Sequence, residues 1–181
     1  MSYLCVYHSS NTRQPIRLLN HEEDISRELN AVGVRFERWQ ANQPITAEST
    51  PEQVMEAYKQ DIERLKQEGG YVAVDVISLD EHHPDKAALR AKFLDEHTHA
   101  EDEVRFFVAG KGLFNLHIDE HVYAVLCEKG DLISVPAGVK HWFDMGEYPR
   151  FTAIRLFNNP DGWVAHFTGD TIAEQYPLLE D

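Results

Sequence analysis

The chain has 181 residues, 43% of them hydrophobic and 10% aromatic, which is enough for one domain with a sizeable core. Its formal net charge of −14 argues against nucleic acid and against an anionic membrane surface as partners. No apolar run reaches the ~18 residues of a membrane span, Met1–Tyr7 lack the pattern of a secretory signal, and Cys5 and Cys127 alone form no disulfide framework, so a cytoplasmic protein with free thiols is expected.

In chain order, Ser2 to Tyr7 reads as a strand. Asn20 offers a helix cap with an acidic residue at the third position, and Ile25, Leu29 and Val32 follow at near-helical spacing up to Gly33. Val34 to Trp39 reads as a short strand. Thr50-Pro51-Glu52-Gln53 is a stronger start signal, with Thr as cap, Pro first and Gln third. Val54, Tyr58, Ile62 and Leu65 then share one helix face, and Gly69-Gly70 ends it. Tyr71 to Leu79 is rich in β-formers, and Pro84 to Lys92 reads as a short helix. Beyond Phe93 short strands follow one another: Glu103–Val108, Gly112–Ile118, His121–Glu128, Asp131–Val135, His141–Met145 and Phe151–Phe157. Turn signals such as Ala109-Gly110-Lys111-Gly112 and Pro136-Ala137-Gly138 separate them. The pattern predicts a sandwich or barrel, jelly rolls included, in one domain: residues 1–70 a mixed α/β cover, 71–167 the β core, and 168–181 a tail.

The chemistry concentrates in His97-Thr98-His99-Ala100-Glu101-Asp102-Glu103 and in His141 after the Pro136-Ala137-Gly138 turn. Residues i and i+2 of a strand face one side, so His97 and His99 can aim at one point. Three imidazoles and a carboxylate form a nitrogen-rich, borderline ligand set. It suits Fe(II), Ni, Cu, Mn or Zn better than Mg or Ca. Neutral imidazoles are required, so metal affinity is expected to fall below about pH 6.5. Arg105 shares the strand face of Glu103 and is read either as a counter-ion or as a group that binds a substrate oxygen. Asp102 and Glu96 are read as outward residues or as groups standing behind the ligands and holding an imidazole N–H. His117 and His121 flank a hairpin turn, a poor geometry for a second metal site. Cys127 reads as a small buried hydrophobe.

Two motifs resemble those of the cupins. His97, His99, Glu103 and Gly110 fit H-x-H-x3-E-x6-G, and Gly130, Pro136, Gly138 and His141 fit G-x5-P-x-G-x2-H; Ala91 and Met145 stand where that pattern has Gly and Asn. The stretches Phe93–Phe106, Val135–Gly146 and Ile154–Phe157 further resemble acireductone dioxygenases, a likeness running from about residue 71 onward. The resemblance implies a mainly β chain with flanking helices (α+β), built as a cupin double-stranded β-helix, a jelly-roll barrel. It implies one Fe2+ or Ni2+ per chain on His97, His99, Glu103 and His141, with Arg105 as a catalytic and substrate-binding residue. Phe93, Phe143 and Trp163 would form the apolar wall of the substrate site. It implies a metal-dependent dioxygenase of methionine salvage, a monomer acting on acireductone and O2. The Fe form would give a 2-oxo acid and formate, the Ni form 3-methylthiopropanoate, formate and CO.

Overall fold

One long strand organises the molecule. The computed structural model describes residues 1–180, so the tail expected over 168–181 is described except for Asp181, which lies outside them. The strands are β1 Tyr3–His8, β2 Arg17–Leu19, β3 Arg35–Arg38, β4 Ala73–Leu79, β5 His97–Thr98, β6 Glu103–Ile118, β7 His121–Glu128, β8 Asp131–Val135, β9 Lys140–Asp144, β10 Phe151–Phe157 and β11 His166–Phe167. The helices are α1 Glu22–Asn30, α2 Pro51–Ala57, α3 Lys59–Gly69 and α4 Lys86–Leu94, with a 3₁₀ turn at Ile172–Gln175. Strand β6 spans 16 residues where the turn signal at Ala109–Gly112 predicts two strands. Its first half pairs with β8 and β10, its second half with β7 and β9. Gly110 takes φ +70 at the junction, so the chain bends there without breaking its ladders.

The jelly-roll barrel is not formed. Hydrogen-bonded neighbours run β11-β5-β9-β6-β7-β1-β2, with β10–β4 and β8–β3 branching from β6. Among the described residues no pairing returns a branch to its start, so the sheet stays open. The fold is a mixed α/β arrangement with a large antiparallel sheet. The physical reason is the bend in β6, which sends its halves to different partners, while the branches end on β2, β3, β4 and β11 without meeting. Three of these four end strands have no more than 4 residues, which is too little ladder to close a ring.

Alternation along β6 separates two environments. Val104, Phe106 and Val108 are buried against Val54 of α2, Ile62 and Leu65 of α3, and Tyr58 between the two helices. Glu103, Arg105 and Phe107 take the opposite face, where Phe107 joins Phe114, Phe143 and Phe151. Each fully buried apolar side chain stabilises by about 1.5–3 kcal/mol, and because both faces are covered, each half of β6 is buried along most of its length, Glu103 and Arg105 included. The Thr50 cap forms in both directions: Gln53 N–H donates to Thr50 Oγ1 at 3.1 Å, and Thr50 N–H to Gln53 Oε1 at 2.9 Å. The single helix read from that signal breaks at Tyr58, whose ring is buried edge-on against Phe106. The α1 cap is His21, not Asn20, and its side chain makes no cap bond. The first seventy residues supply β1 and β3 to the sheet as well as helices. Among the described residues no helix is long and apolar enough to cross a membrane.

A Cβ at Gly110 would fall on the backbone carbonyl of Arg150, in a conformation L side chains rarely adopt. Gly110→Ala is therefore expected to lose about 3 kcal/mol or more in urea denaturation, combining left-handed strain with a displaced backbone. A loss under about 1 kcal/mol would mean that the bend is not rigid.

Candidate metal centre

Three strands deliver the site. β5 pairs antiparallel with β9, with His97 opposite His141. β9 in turn lies on β6, with His141 opposite Leu116. His99 follows β5 directly, and Glu103 opens β6. The Pro136-Ala137-Gly138 turn that leads into β9 is pinned to this segment: Gly138 N–H donates to the His99 carbonyl at 3.0 Å, and Ala137 N–H to Asp102 Oδ1 at 2.7 Å. Asp102 therefore shapes the turn and holds no imidazole. The rings of His97 and His141 stand 4.5 Å apart, those of His97 and His99 5.0 Å, and those of His99 and His141 5.1 Å. One ring nitrogen from each lies within 4.8 Å of the others.

The proton positions follow from the partners. His97 Nδ1 lies 2.8 Å from the Asp95 carbonyl, His99 Nδ1 3.0 Å from the Val164 carbonyl, and His141 Nδ1 2.9 Å from the Val139 carbonyl. A carbonyl only accepts, so each neutral ring keeps its hydrogen on Nδ1 and presents a bare lone pair on Nε2. Glu103 Oε1 accepts from Arg105 Nη2 at 2.7 Å and Nε at 3.2 Å. Glu103 Oε2 is buried without a hydrogen-bond partner, 3.1 Å from His99 Nε2 and 3.7 Å from His141 Nε2. Three imidazole lone pairs thus converge, with Glu103 Oε2 against two of them and no hydrogen between, an arrangement that a divalent cation satisfies. Burial, reinforced by His141, lowers the His97 pKa to about 4. Burial works to raise the Glu103 carboxyl, but the Arg105 guanidinium beside it holds Glu103 well below the usual carboxylate range.

A cavity of about 400 Å³ opens beside the histidines. Arg105 lines it, its guanidinium 4.8 Å from the ring centres of both Phe114 and Phe143, and its Nη1 is buried without a partner. The two readings of Arg105 are compatible: one edge of the fork is a counter-ion to Glu103, and Nη1 remains to donate. Phe93, Phe143 and Trp163 also line the cavity. Glu96 is buried but stands away from the imidazoles, accepting from Thr168 Oγ1 at 2.8 Å and pairing with His117 Nδ1 at 2.8 Å. His117 therefore has an acidic partner that its spacing to His121 does not suggest. The Val164 carbonyl behind His99 carries no side-chain signal at all. Asp75, which grips Arg155 of the cavity wall through two bonds of 2.8 and 2.7 Å, is visible only once β4 is seen beside β10.

A sequence profile of the ARD/ARD' family matches residues 5–165. The chain belongs to this family. The acireductone dioxygenase of Pseudomonas paraeruginosa is 68% identical over 181 residues, the whole of both chains, and that of Stutzerimonas stutzeri is 64% identical over the same span. A solved structure of acireductone dioxygenase from Bacillus anthracis, with a cadmium ion in its active center, superposes with a TM-score of 0.81. It is 31% identical and covers 92% of this chain and 98% of its own. The ARD/ARD' chain described here has a three-histidine site able to chelate a divalent metal.

The lowered His97 pKa sets the acid limb of stability in the metal-free protein. Between about 6.5 and 4 the unfolded chain takes up a proton that the folded chain refuses, so stability falls as pH drops through that window. The expected loss is about 3 kcal/mol, read from urea midpoints of metal-free protein at stepped pH. Glu103 extends the loss below its ordinary range, since it too resists protonation only when folded. Constant stability from pH 7 down to 4.5 would contradict this geometry.

Proposed function

We infer that this chain is an acireductone dioxygenase of methionine salvage, cleaving 1,2-dihydroxy-3-keto-5-methylthiopentene with O2. The observation that carries the reading is the convergence of three Nε2 lone pairs at the cavity, with the unpartnered Glu103 Oε2 behind them. Relatives of that name, matched over their whole length, support it. His97, His99, Glu103 and His141 would hold one Fe2+ or Ni2+ per chain. A bound divalent ion supplies Lewis-acid charge that stabilises the ionised enediol toward dioxygen. With Fe2+ the products are 4-methylthio-2-oxobutanoate and formate; with Ni2+ they are 3-methylthiopropanoate, formate and CO. On this reading the enzyme is a cytoplasmic monomer.

The protein's own part is binding and orientation. Arg105 is held in one pose by Glu103 and by two aromatic faces, so its free Nη1–H can donate to a substrate oxygen without reorganising. Phe93 and Phe143, with ring centres 6.4 Å apart, offer the methylthio tail an apolar wall, and Trp163 lines the same cavity. Burial of Arg105 and Glu103 to 6% and 1% exposure keeps their charges unscreened by water.

Product analysis tests the assignment. Protein loaded with Fe2+ under anaerobic conditions, given acireductone and then oxygen, is expected to form the 2-oxo acid and formate faster than metal-free protein does. No acceleration with metal bound would discard the substrate. Arg105→Ala is expected to retain metal by elemental analysis while kcat/KM falls about a hundredfold or more, the scale of one lost oxyanion donor. Metal-free Arg105→Ala should also lose about 3–5 kcal/mol of stability, because Glu103 is left buried and unpaired.

A further inference from the structure

The cavity differs in charge from the molecule that encloses it. The chain has 31 acidic and 17 basic residues, yet no Asp or Glu is among the described residues lining the cavity. Its charged side chains are Lys92, Arg105 and Arg155, with His83 and the three clustered histidines beside them. Two of these cations are already neutralised. Arg105 is paired with Glu103 at 2.7 Å, and Arg155, directly across the β10–β6 ladder from it, is gripped by Asp75. Lys92 is different. It is exposed in the last turn of α4, one residue before Phe93, and among the described residues no ion-pair or hydrogen-bond partner is seen for it. Two buried carboxylates of adjoining segments are engaged elsewhere: Glu96 by His117 and Thr168, and Asp144 by Arg90 at 2.9 Å and by the N–H groups of Gly146 and Leu179. The remaining neighbours, Asp85 and Asp95, face solvent.

We propose that Lys92 is a specificity-determining residue whose ammonium draws the anionic form of the enediol substrate into the cavity mouth and passes it to Arg105. The proposal rests on the acireductone reading for the identity of the substrate, and on the cavity's charge for the role. A molecule of net charge −14 repels an approaching anion, and an unpaired ammonium at the rim of a cleft with no carboxylate in its described lining opposes that repulsion where the substrate enters. A lysine that merely complements the carbonyl end of a helix would need no cavity and would act on stability alone.

The test separates these roles. In metal-loaded protein at low ionic strength, Lys92→Glu is expected to lower kcat/KM for acireductone about tenfold through KM, with kcat within about twofold and Tm lowered by no more than a few degrees through the helix end. Lys92→Arg should restore the wild-type value. Lys59→Glu, an equal charge change on an exposed residue of α3 outside the cavity lining, should cost less than about twofold. The Lys92→Glu deficit should close to within about twofold at molar salt, where the Debye length is ~3 Å. A second arm needs no turnover. Trp163 lines the cavity at 51% exposure while Trp142 is 2% exposed, so in a Trp39→Phe background Trp163 reports the rim. Its quenching by iodide should fall about threefold in Lys92→Glu, and quenching by neutral acrylamide should not change. Unchanged iodide quenching, or a low-salt kcat/KM equal to wild type, overturns the proposal. An iodide effect in a protein that does not turn over acireductone upholds anion capture by Lys92 and removes the substrate assignment instead.

Discussion

Three backbone carbonyls determine what this site can be. By taking the Nδ1 hydrogens of His97, His99 and His141, the carbonyls of Asp95, Val164 and Val139 leave three lone pairs with nothing to donate to them. Glu103 adds a fourth, its Oε2 free while Oε1 is occupied by Arg105. Such a set is repulsive when empty and attractive around a cation, so the same geometry that weakens the metal-free fold makes it a ligand cage. The structure carries this cost because the surrounding sheet holds the rings in place: β5 on β9, β9 on β6.

Strand β6 links the cage to the rest of the protein. One of its faces is packed under α2 and α3, the other carries Glu103 and Arg105. A buried ion pair is weak evidence for stability on its own, since desolvation offsets most of its attraction. Here it has a positional use. The Arg105 guanidinium rests against both Phe114 and Phe143, 4.8 Å from each ring centre, and Glu103 holds its edge, so its orientation is fixed from two sides. The apolar packing of β6 thereby fixes a polar group to the precision that recognition of a small oxygen-rich substrate demands.

The three-histidine cluster, and the carboxylate beside it, could be read from the chain because most of it is local. His97, His99 and Glu103 lie within seven residues, and His141 follows a turn whose Pro and Gly are themselves recognisable. The capping box at Thr50 was equally readable, since both of its partners lie three residues apart. What stayed hidden depends on distant segments. The barrel expectation failed because closure is a property of which edges meet, and strand periodicity says nothing about that. The turn signal at Ala109–Gly112 was real chemistry put to another use, a bend within one strand. The short strands at His97 and His166 have too few residues to show a period. Glu96 reads as outward or as holding an imidazole, and which imidazole it meets was hidden because its partners, His117 and Thr168, lie 21 and 72 residues away.

The dependence of His99 on the Val164 carbonyl has a consequence for how this protein can vary. A peptide carbonyl is present whatever side chain the residue bears, so position 164 can change its side chain freely without disturbing the imidazole. The same contact is intolerant of a change in chain length. One residue inserted or deleted between β10 and β11 would move a different carbonyl, or none, behind His99, and the ring would lose the acceptor that fixes its tautomer. Substitution scanning would therefore pass over this part of the metal centre, while length variation in residues 158–165 would expose it.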